Sequence, residues 1–464
     1  MRLWELLLTG ALVVALLWPA LEGRRLPRGV TAVALLAAVF IQFLAEGFRW
    51  QLWGLYGLVV GMSLGDMLAR ERQLESYRRI RRVVLGMVGM LVLVAPAWAL
   101  PIVELPPPTG PYQVATTSFE IRSEDRLEDY GPIPGDYRRV MVQAWYPGVL
   151  STNAEPLSPW ITDLEVIGPA ITATLGLPGF FLNHTRYTPS HSFEQVVPYQ
   201  GKIPVILYSH GWRLFRNAAI HQMESLASHG YLVIAVDHTY GSVATVFPDG
   251  AVALLDPEAL PDADDVDDEI FEEAAIRILE TYSDDLRMVI GSLEEGVSGP
   301  FGSLAGIADL DRLGIFGHSL GGGAAVRTCL LEEICGVVAS LDGWVEPIRS
   351  AELSKELDVP SMFIRSDPWR VLENDQVLRG LVERSNRRSY WIGIENTVHS
   401  DLTLAPALTP VAAWFGLRGS MPAAQVFAII DRYLVSFFDR HLLGVGGRDL
   451  TEVPPPGVLY ELIP

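Results

Sequence analysis

The first hundred residues contain four long apolar runs, at about residues 3–21, 30–48, 52–69 and 83–103. Each run approaches the ~20 residues that an α-helix needs to cross a bilayer. Tryptophans stand near the ends of these runs, where an amphipathic ring favours the headgroup level. The pattern therefore predicts an all-α membrane region of four transmembrane helices over residues 1–104.

Arginines between the runs predict an orientation. Arg24, Arg25 and Arg28 lie in the first connection and further arginines lie in the third, whereas the second contains Arg49 alone. Because cytoplasmic loops carry the excess of basic residues, we expect a multi-pass cell-membrane protein with the lipid bilayer as a partner. Everything after Pro101 is then extracytoplasmic. A signal peptide in the first run and release at Ala97-Trp98-Ala99 are the alternatives.

The rest of the chain has the pattern of a mixed α/β domain over residues 112–464. The proline-rich residues 105–111 predict a stiff linker before it. Residues 112–122 and 138–146 alternate as strands do. Residues 150–200 are irregular and aromatic, and we interpret them as a cap or pocket wall.

From Pro204 onwards, buried apolar runs alternate with helical patterns, up to an amphipathic helix at about 423–442. Strands spaced by helices predict a mostly parallel sheet with helices on both faces.

Charge and cysteine content narrow the classes of protein. The net charge of −20 reflects an acidic excess after residue 104, which argues against nucleic acid as a partner. Cys329 and Cys335 are the only cysteines, and their spacing matches no metal or redox motif. They are either a disulfide pair or two small buried side chains. No metal and no cofactor are predicted.

The chemistry centres on Gly317-His-Ser-Leu-Gly321. An apolar strand pattern precedes this stretch and an alanine-rich helical pattern follows, which is the context of a nucleophile elbow. Ser319 is the predicted nucleophile, and the backbone N–H of Leu320, the next residue, is a predicted oxyanion donor. Together with the alternating strands and helices, this predicts the α/β-hydrolase fold.

A serine nucleophile needs a histidine base held by a carboxylate, and in this fold the chain order is Ser, acid, His. His399 follows a strand in a loop and is the predicted base, whereas His441 lies within the closing helix. Asp342 and Asp367 end successive strands and are both candidates for the acid. Position alone slightly favours Asp367.

Four motifs stand out along the chain: the elbow, Leu341-Asp-Gly-Trp344, Thr397-Val-His399 and Tyr208-Ser-His-Gly-Trp212. In their order, and over roughly residues 112–442, they resemble the motifs of the plasma-type platelet-activating factor acetylhydrolases. The resemblance implies that Asp342 is the acid and that Asp367 lies at the pocket rim. It also implies that the Trp212 N–H is the second oxyanion donor.

The predicted function is a membrane-anchored serine esterase acting on carboxylic esters. The resemblance implies short or oxidised sn-2 acyl chains of phospholipids as substrates. One alternative is a general or polyester-cleaving, cutinase-like carboxylesterase. Another, of a different class, is a membrane sensor or scaffold with a noncatalytic hydrolase domain.

Overall fold

The computed structural model describes residues 1–21, 29–68, 76–149, 157–194, 196–446, 450 and 453–463. The chain forms two compact units. The first comprises Met1–Val103 and Leu408–Val411, and the second comprises Glu104–Ala407 and Ala412–Pro464.

The first unit is helical, as its apolar runs predict. Its helices are α1 (Leu3–Leu21), α2 (Val30–Glu46), α3 (Trp53–Leu68) and α4 (Ser76–Ala99). Leu8, Leu35 and Leu55 are among the residues of its apolar core. A fully buried ion pair joins Arg49 to Glu5, with 2.9 Å between Nη1 and Oε1.

The prediction that these helices cross a membrane is wrong. No helix within the described residues is both long enough and apolar enough to span a bilayer. Helix α2 has 17 residues, fewer than the ~20 that an α-helix typically needs to cross a bilayer. Glu5 lies in the first turn of α1, and the arginines near the start of α4 leave only residues 83–99 of that helix uncharged.

The multi-pass location, the extracytoplasmic placement of the catalytic domain and the bilayer as a partner depended on those spans. Because no such span is found within the described residues, these predictions are wrong as well. The arginine-rich connections at 22–28 and 69–75 lie outside the described residues.

The second unit is built on a mixed β-sheet. In chain order the strands are β1 (Val114–Leu127), β2 (Tyr137–Val149), β3 (Leu157–Pro159), β4 (Pro189–Glu194), β5 (Val197–Pro198), β6 (Ile203–Ser209), β7 (Leu232–Asp237), β8 (Ala244–Val246), β9 (Val252–Leu254), β10 (Ala308–His318), β11 (Cys335–Leu341), β12 (Ser361–Ser366), β13 (Ser389–Ile394) and β14 (Val458–Ile463). Strands β8 and β9 pair with each other as a small hairpin.

Helices separate most of the later strands. They are α5 (Leu164–Thr174), α6 (Ile220–Ser228), α7 (Asp268–Glu294), α8 (Ser303–Ile307), α9 (Leu320–Leu331), α10 (Ser350–Leu353), α11 (Glu373–Glu383) and α12 (Ala423–Phe438). Helix α7 packs against α9, and α6 packs against α12.

Within the described residues, the strand order is β14-β13-β12-β11-β10-β6-β7-β2-β1-β4-β3, with β5 paired to β2. The central strands from β13 to β7 are parallel, and β14 and β2 flank them antiparallel. The predicted α/β class with a mostly parallel centre is confirmed. Because parallel strands share one carboxyl edge, the residues that end β6, β10, β11 and β12 meet there.

Residues 150–200, predicted to form a cap or pocket wall, contribute β3 and β4 to the edge of the sheet, and α5. Strand β4 pairs parallel with β1 through Val114 and Ser192. Residues 150–156 and 195 lie outside the described residues.

Cys329 and Cys335 form a disulfide, with 5.2 Å between their Cα atoms. Of the two alternatives that the sequence leaves open, the structure has the bonded one. The bond joins the last turns of α9 to the first residue of β11.

Candidate active site

Ser319 occupies the sharp turn between β10 and α9. Its φ of 57° and ψ of −124° lie where residues with a side chain rarely occur. Its N–H donates to Leu341 O at 3.0 Å, and its carbonyl accepts from Trp344 N at 2.9 Å. A Cβ atom on Gly321 would lie 2.2 Å from Ser209 O, so glycine is required there. The turn is thus fixed by tight backbone packing.

His399 and Asp342 are in direct contact. His399 Nδ1 lies 3.0 Å from Asp342 Oδ2, and Asp342 is fully buried while 36% of the His399 side chain is exposed. The two Asp342 oxygens also accept from the Ser366 amide at 2.8 Å and its hydroxyl at 2.5 Å. The carboxylate is therefore oriented by neutral donors from the end of β12, and its second oxygen faces the imidazole.

Two further aromatic rings hold His399. The Trp369 indole stacks on the imidazole with centroids 4.7 Å apart and planes 14° apart. His318 Nε2 donates to the His399 carbonyl at 3.2 Å. Burial and the nearby His399 keep the pKa of His318 well below its usual value, so His318 is neutral and acts as a donor. Ring and backbone of His399 are both constrained.

Asp367 has different partners. Its Oδ2 accepts from the Asn396 amide at 2.6 Å, and its Oδ1 pairs with Arg370. Asn396 has a φ of 62° and lies in the loop that leads to His399. Asp367 thus supports the shape of that loop, and the carboxylate that touches the imidazole is Asp342.

A cavity of about 430 Å³ opens beside Ser319. Leu320 and Trp212, the two candidate oxyanion donors, both line it. Its walls include the aromatic side chains of Phe271, Trp344 and Trp369. The structure thus brings the elbow and both candidate donors to one cavity. Ser319, His399 and Asp342 are called the open set below.

A second Ser–His–Asp constellation lies inside the same unit. Ser209 Oγ is 2.8 Å from His238 Nε2, and His238 Nδ1 is 2.9 Å from Asp285 Oδ2. All three residues are fully buried. Arg138 Nη2 approaches Asp285 Oδ2 to 2.6 Å, and Arg126 Nη1 approaches Oδ1 to 2.7 Å. Ser209, His238 and Asp285 are called the buried set below.

Sequence reasoning missed three residues of these arrangements. Asp285 lies in the middle of α7, where no motif distinguishes it from the other acids of that helix. Ser366 and Trp369 lie on either side of Asp367, so their position after a strand could have indicated a role. The prediction considered only the aspartate at that strand end.

Fold and elbow together define the class: the second unit is an α/β-hydrolase domain. A solved structure of the same fold, "Ferulic acid esterase from Streptomyces cinnamoneus at 2.4 A resolution", has a TM-score of 0.63 and 24% sequence identity. The similarity covers 78% of this chain and 99% of that one. At this identity the likeness shows the shared fold.

The chain belongs to the family "Platelet-activating factor acetylhydrolase, isoform II", whose profile matches residues 99–262 and 287–446. The platelet-activating factor acetylhydrolase of Canis lupus familiaris is 25% identical over 356 residues, covering 70% of this chain and 76% of that protein. The protein of that name from Cavia porcellus is 23% identical over 360 residues, covering 73% and 78%.

These relatives confirm the resemblance noted from the motifs. The chain is a carboxylic ester hydrolase, which sets aside the noncatalytic scaffold considered above.

Proposed function

We propose that the protein is a serine esterase in which the open set acts as a catalytic triad. The observation that carries this proposal is the 3.0 Å contact between His399 Nδ1 and the buried Asp342 carboxylate, beside a strained elbow serine. Asp342 fixes the imidazole tautomer with the proton on Nδ1, so Nε2 is the nitrogen that accepts a proton. The candidate acid Asp367 is instead assigned to loop support.

The reaction proceeds in two halves. His399 Nε2 takes the Ser319 hydroxyl proton as the oxygen attacks the ester carbonyl, and the resulting imidazolium returns it to the departing alcohol. Water then attacks the acyl-enzyme with His399 again as base, which releases the acid and restores Ser319. Asp342 stabilises the imidazolium in both halves.

The oxyanion is held by the backbone N–H groups of Leu320 and Trp212. Leu320 begins α9, so its amide lies at the positive end of that helix. Preorganised donors of this kind lower the barrier because they need no reorganisation when the charge forms.

For the substrate, we propose a phospholipid with a short or oxidised sn-2 acyl chain. Two observations support this choice: the family to which the chain belongs and the volume of about 430 Å³, which is near the small end for ligand pockets. A short acyl group and its reacting carbonyl fit within such a volume.

A second candidate substrate class is small aromatic esters. Trp212, Phe271, Trp344 and Trp369 line the cavity, and flat rings stack favourably on such walls. Hydrolysis of an aromatic ester would use the same mechanism, and only the alcohol or the acyl group of the substrate would differ.

A fluorophosphonate probe tests the mechanism. We expect the wild type to be labelled once, on Ser319, and Ser319→Ala to remain unlabelled. Ser209→Ala is the matched control, because it removes the other serine that has a His–Asp partner, and it should still be labelled. Labelling of Ser319→Ala would overturn the proposed nucleophile.

A substrate panel tests the specificity. The wild type is compared on a phosphatidylcholine with an sn-2 acetyl or oxidised chain, its long-chain analogue, and naphthyl and 4-nitrophenyl acetates. Preference for the short-chain phospholipid by kcat/KM supports the first candidate. Activity on the aromatic acetates with none on the phospholipid supports the second and contradicts the first.

A further inference from the structure

The loop that carries Trp212 is held by a buried histidine. His210 is fully buried, and its Nδ1 lies 2.8 Å from the carbonyl oxygen of Gly211. Its Nε2 lies 2.8 Å from Ser242 Oγ and 3.3 Å from the backbone N–H of His238. The ring therefore contacts a separate polar group at each of its two nitrogens.

These partners determine the tautomer. The backbone N–H of His238 can only donate, so His210 Nε2 must accept, and the ring proton lies on Nδ1. The carbonyl of Gly211 can only accept, which requires the same assignment. Burial, followed by the neighbouring His238, keeps the pKa of His210 well below its usual value, so the ring is neutral.

Fixing the Gly211 carbonyl also fixes an N–H group. The Gly211 C=O and the Trp212 N–H belong to one planar trans peptide unit and point in opposite directions. The carbonyl accepts from His210 Nδ1 and from the Leu214 amide at 3.1 Å. With its oxygen held on one side, the peptide presents its N–H to the other.

The same peptide lies against the nucleophile. A Cβ atom built on Gly211 would be 3.0 Å from Ser319 Cβ and 3.3 Å from His318 O. A small rotation of this peptide would therefore change the distance between the Trp212 N–H and an oxyanion formed on Ser319. Displacements of about 1 Å at such a position cost about 10²-fold in rate.

The buried set supports His210 from behind. His238, whose backbone N–H contacts His210 Nε2, is held through its ring by Ser209 and Asp285. Asp285 is in turn anchored by two arginines. This gives a polar, close-packed arrangement that the proposed mechanism does not itself use.

We propose that His210 is a positioning residue of the esterase reaction: its Nδ1–H holds the Gly211–Trp212 peptide so that the Trp212 N–H faces the oxyanion formed at Ser319. The proposal rests on the oxyanion role assigned to Trp212 above. His210 touches no reacting atom and acts through this peptide alone.

Two substitutions separate this role from general packing. His210→Asn places an amide N–H near the position of Nδ1 and retains a donor for the Gly211 carbonyl. His210→Gln places its amide near the position of Nε2 and loses that donor. We expect kcat to fall about 10²-fold in His210→Gln, as for loss of one oxyanion donor, with KM changed less than about threefold. His210→Asn should retain kcat to within about tenfold.

Inhibitor affinity gives a second readout. A trifluoromethyl ketone forms a tetrahedral oxyanion on the serine, whereas the product carboxylate does not. We expect His210→Gln to weaken the ketone about as much as it lowers kcat, and to leave product binding unchanged. Equal losses in the Asn and Gln variants, or equal weakening of both ligands, would show a structural role only.

Folding is checked by circular dichroism and thermal unfolding. If His210→Gln does not fold, Ser242→Ala decides, because it removes one donor to Nε2 and leaves the ring in place. We expect its kcat to fall about three- to tenfold with KM unchanged, and an unchanged kcat overturns the proposal. A wild type that is neither active nor labelled on Ser319 would instead contradict the proposed function itself.

Discussion

The open and buried sets contain the same three residue types in the same domain, yet their surroundings differ. The acid of the open set, Asp342, receives two neutral donors from Ser366. The acid of the buried set, Asp285, receives two guanidinium groups. Burial alone would raise the pKa of Asp285, but Arg138 and Arg126 outweigh it and hold that pKa below its usual range.

Access differs as well. The His399 side chain is 36% exposed and Ser319 lines a cavity, whereas the His238 and Asp285 side chains are fully buried. The charge of Asp285 is already balanced by cations, and burial, as the largest cause, lowers the pKa of His238. The comparison teaches that hydrogen bonds among Ser, His and Asp side chains do not by themselves indicate a catalytic site, because fully buried side chains cannot reach a substrate.

The largest expected effect lies in the open set. Asp342→Asn should lower kcat by about 10⁴-fold, because an uncharged amide neither holds the required imidazole tautomer nor stabilises its protonated form. Asp367→Asn is the matched control, and we expect a loss of less than about tenfold. Steady-state kinetics on a soluble acetate ester measures both. The reverse order would return the role of the acid to Asp367.

In the buried set, the corresponding change should act on stability. Asp285→Asn leaves the fully buried Arg138 without its main partner, and we expect the free energy of unfolding to fall by about 3–5 kcal/mol. Chemical denaturation measures it. Asp284→Asn, which changes the neighbouring and partly exposed carboxylate, should cost less than about 0.5 kcal/mol. A loss of kcat without a loss of stability in Asp285→Asn would erase the distinction between the two sets.

A third buried carboxylate, Glu224, shows by comparison how the arginines affect the pKa of Asp285. Glu224 accepts from His191 N at 2.7 Å and Ser192 Oγ at 2.5 Å. Burial raises its pKa to about 7, and the same cause, followed by Glu224 itself, raises the pKa of Asp431. Unlike Asp285, Glu224 is therefore largely protonated in the folded state below neutral pH.

The raised pKa of Glu224 determines how stability changes with pH. An unfolded glutamate titrates near ~4.3, so between that pH and about 7 the folded state binds the additional proton and stability falls as the pH rises. We expect the free energy of unfolding of the wild type to fall by about 3 kcal/mol between pH 5 and pH 8 because of Glu224. This fall should be absent in Glu224→Gln. Glu333→Gln, an exposed control, should retain the wild-type slope. A Glu224→Gln slope equal to the wild-type slope would contradict the raised pKa.

The smallest effect concerns the scaffold of the open set. The Cys329–Cys335 bond joins the helix after Ser319 to the strand before Asp342 and closes a short loop with a sequence separation of 6. Replacing both cysteines with serine should lower the free energy of unfolding by about 2 kcal/mol. We expect kcat at 25 °C to stay within about twofold, because α9 and β11 keep their packing. A large loss of kcat would show that the bond shapes the open set itself.

Local patterns were sufficient for several features. The elbow motif located the strand–turn–helix around Ser319, because strand, turn and helix follow one another directly in the chain. A Cβ atom on Gly317 would clash with Gly321 O four residues away, whereas Gly321 is required by Ser209, which is distant in the chain. The alternation of apolar runs predicted the parallel centre of the sheet, since that period reflects burial on both faces. The order of the motifs was sufficient for the family.

Hydropathy was insufficient for the first unit. The apolar runs predicted its helices, but a run of apolar letters does not show where a helix ends. The structure ends α2 at Glu46, and no helix within the described residues is both long enough and apolar enough to span a bilayer.

The sequence by itself therefore determined the elbow at Ser319, the α/β class and the family. The elbow and the class depend on residues near one another in the chain, and the family depends on motifs whose order can be seen in the sequence. Only the tertiary structure decided which carboxylate meets His399. Position along the chain slightly favours Asp367 and the family resemblance implies Asp342. Both residues follow neighbouring strands at the same edge, so the choice depends on where each side chain finds its donors. The same holds for Asp285 and His238, whose contact is made across 47 residues of chain.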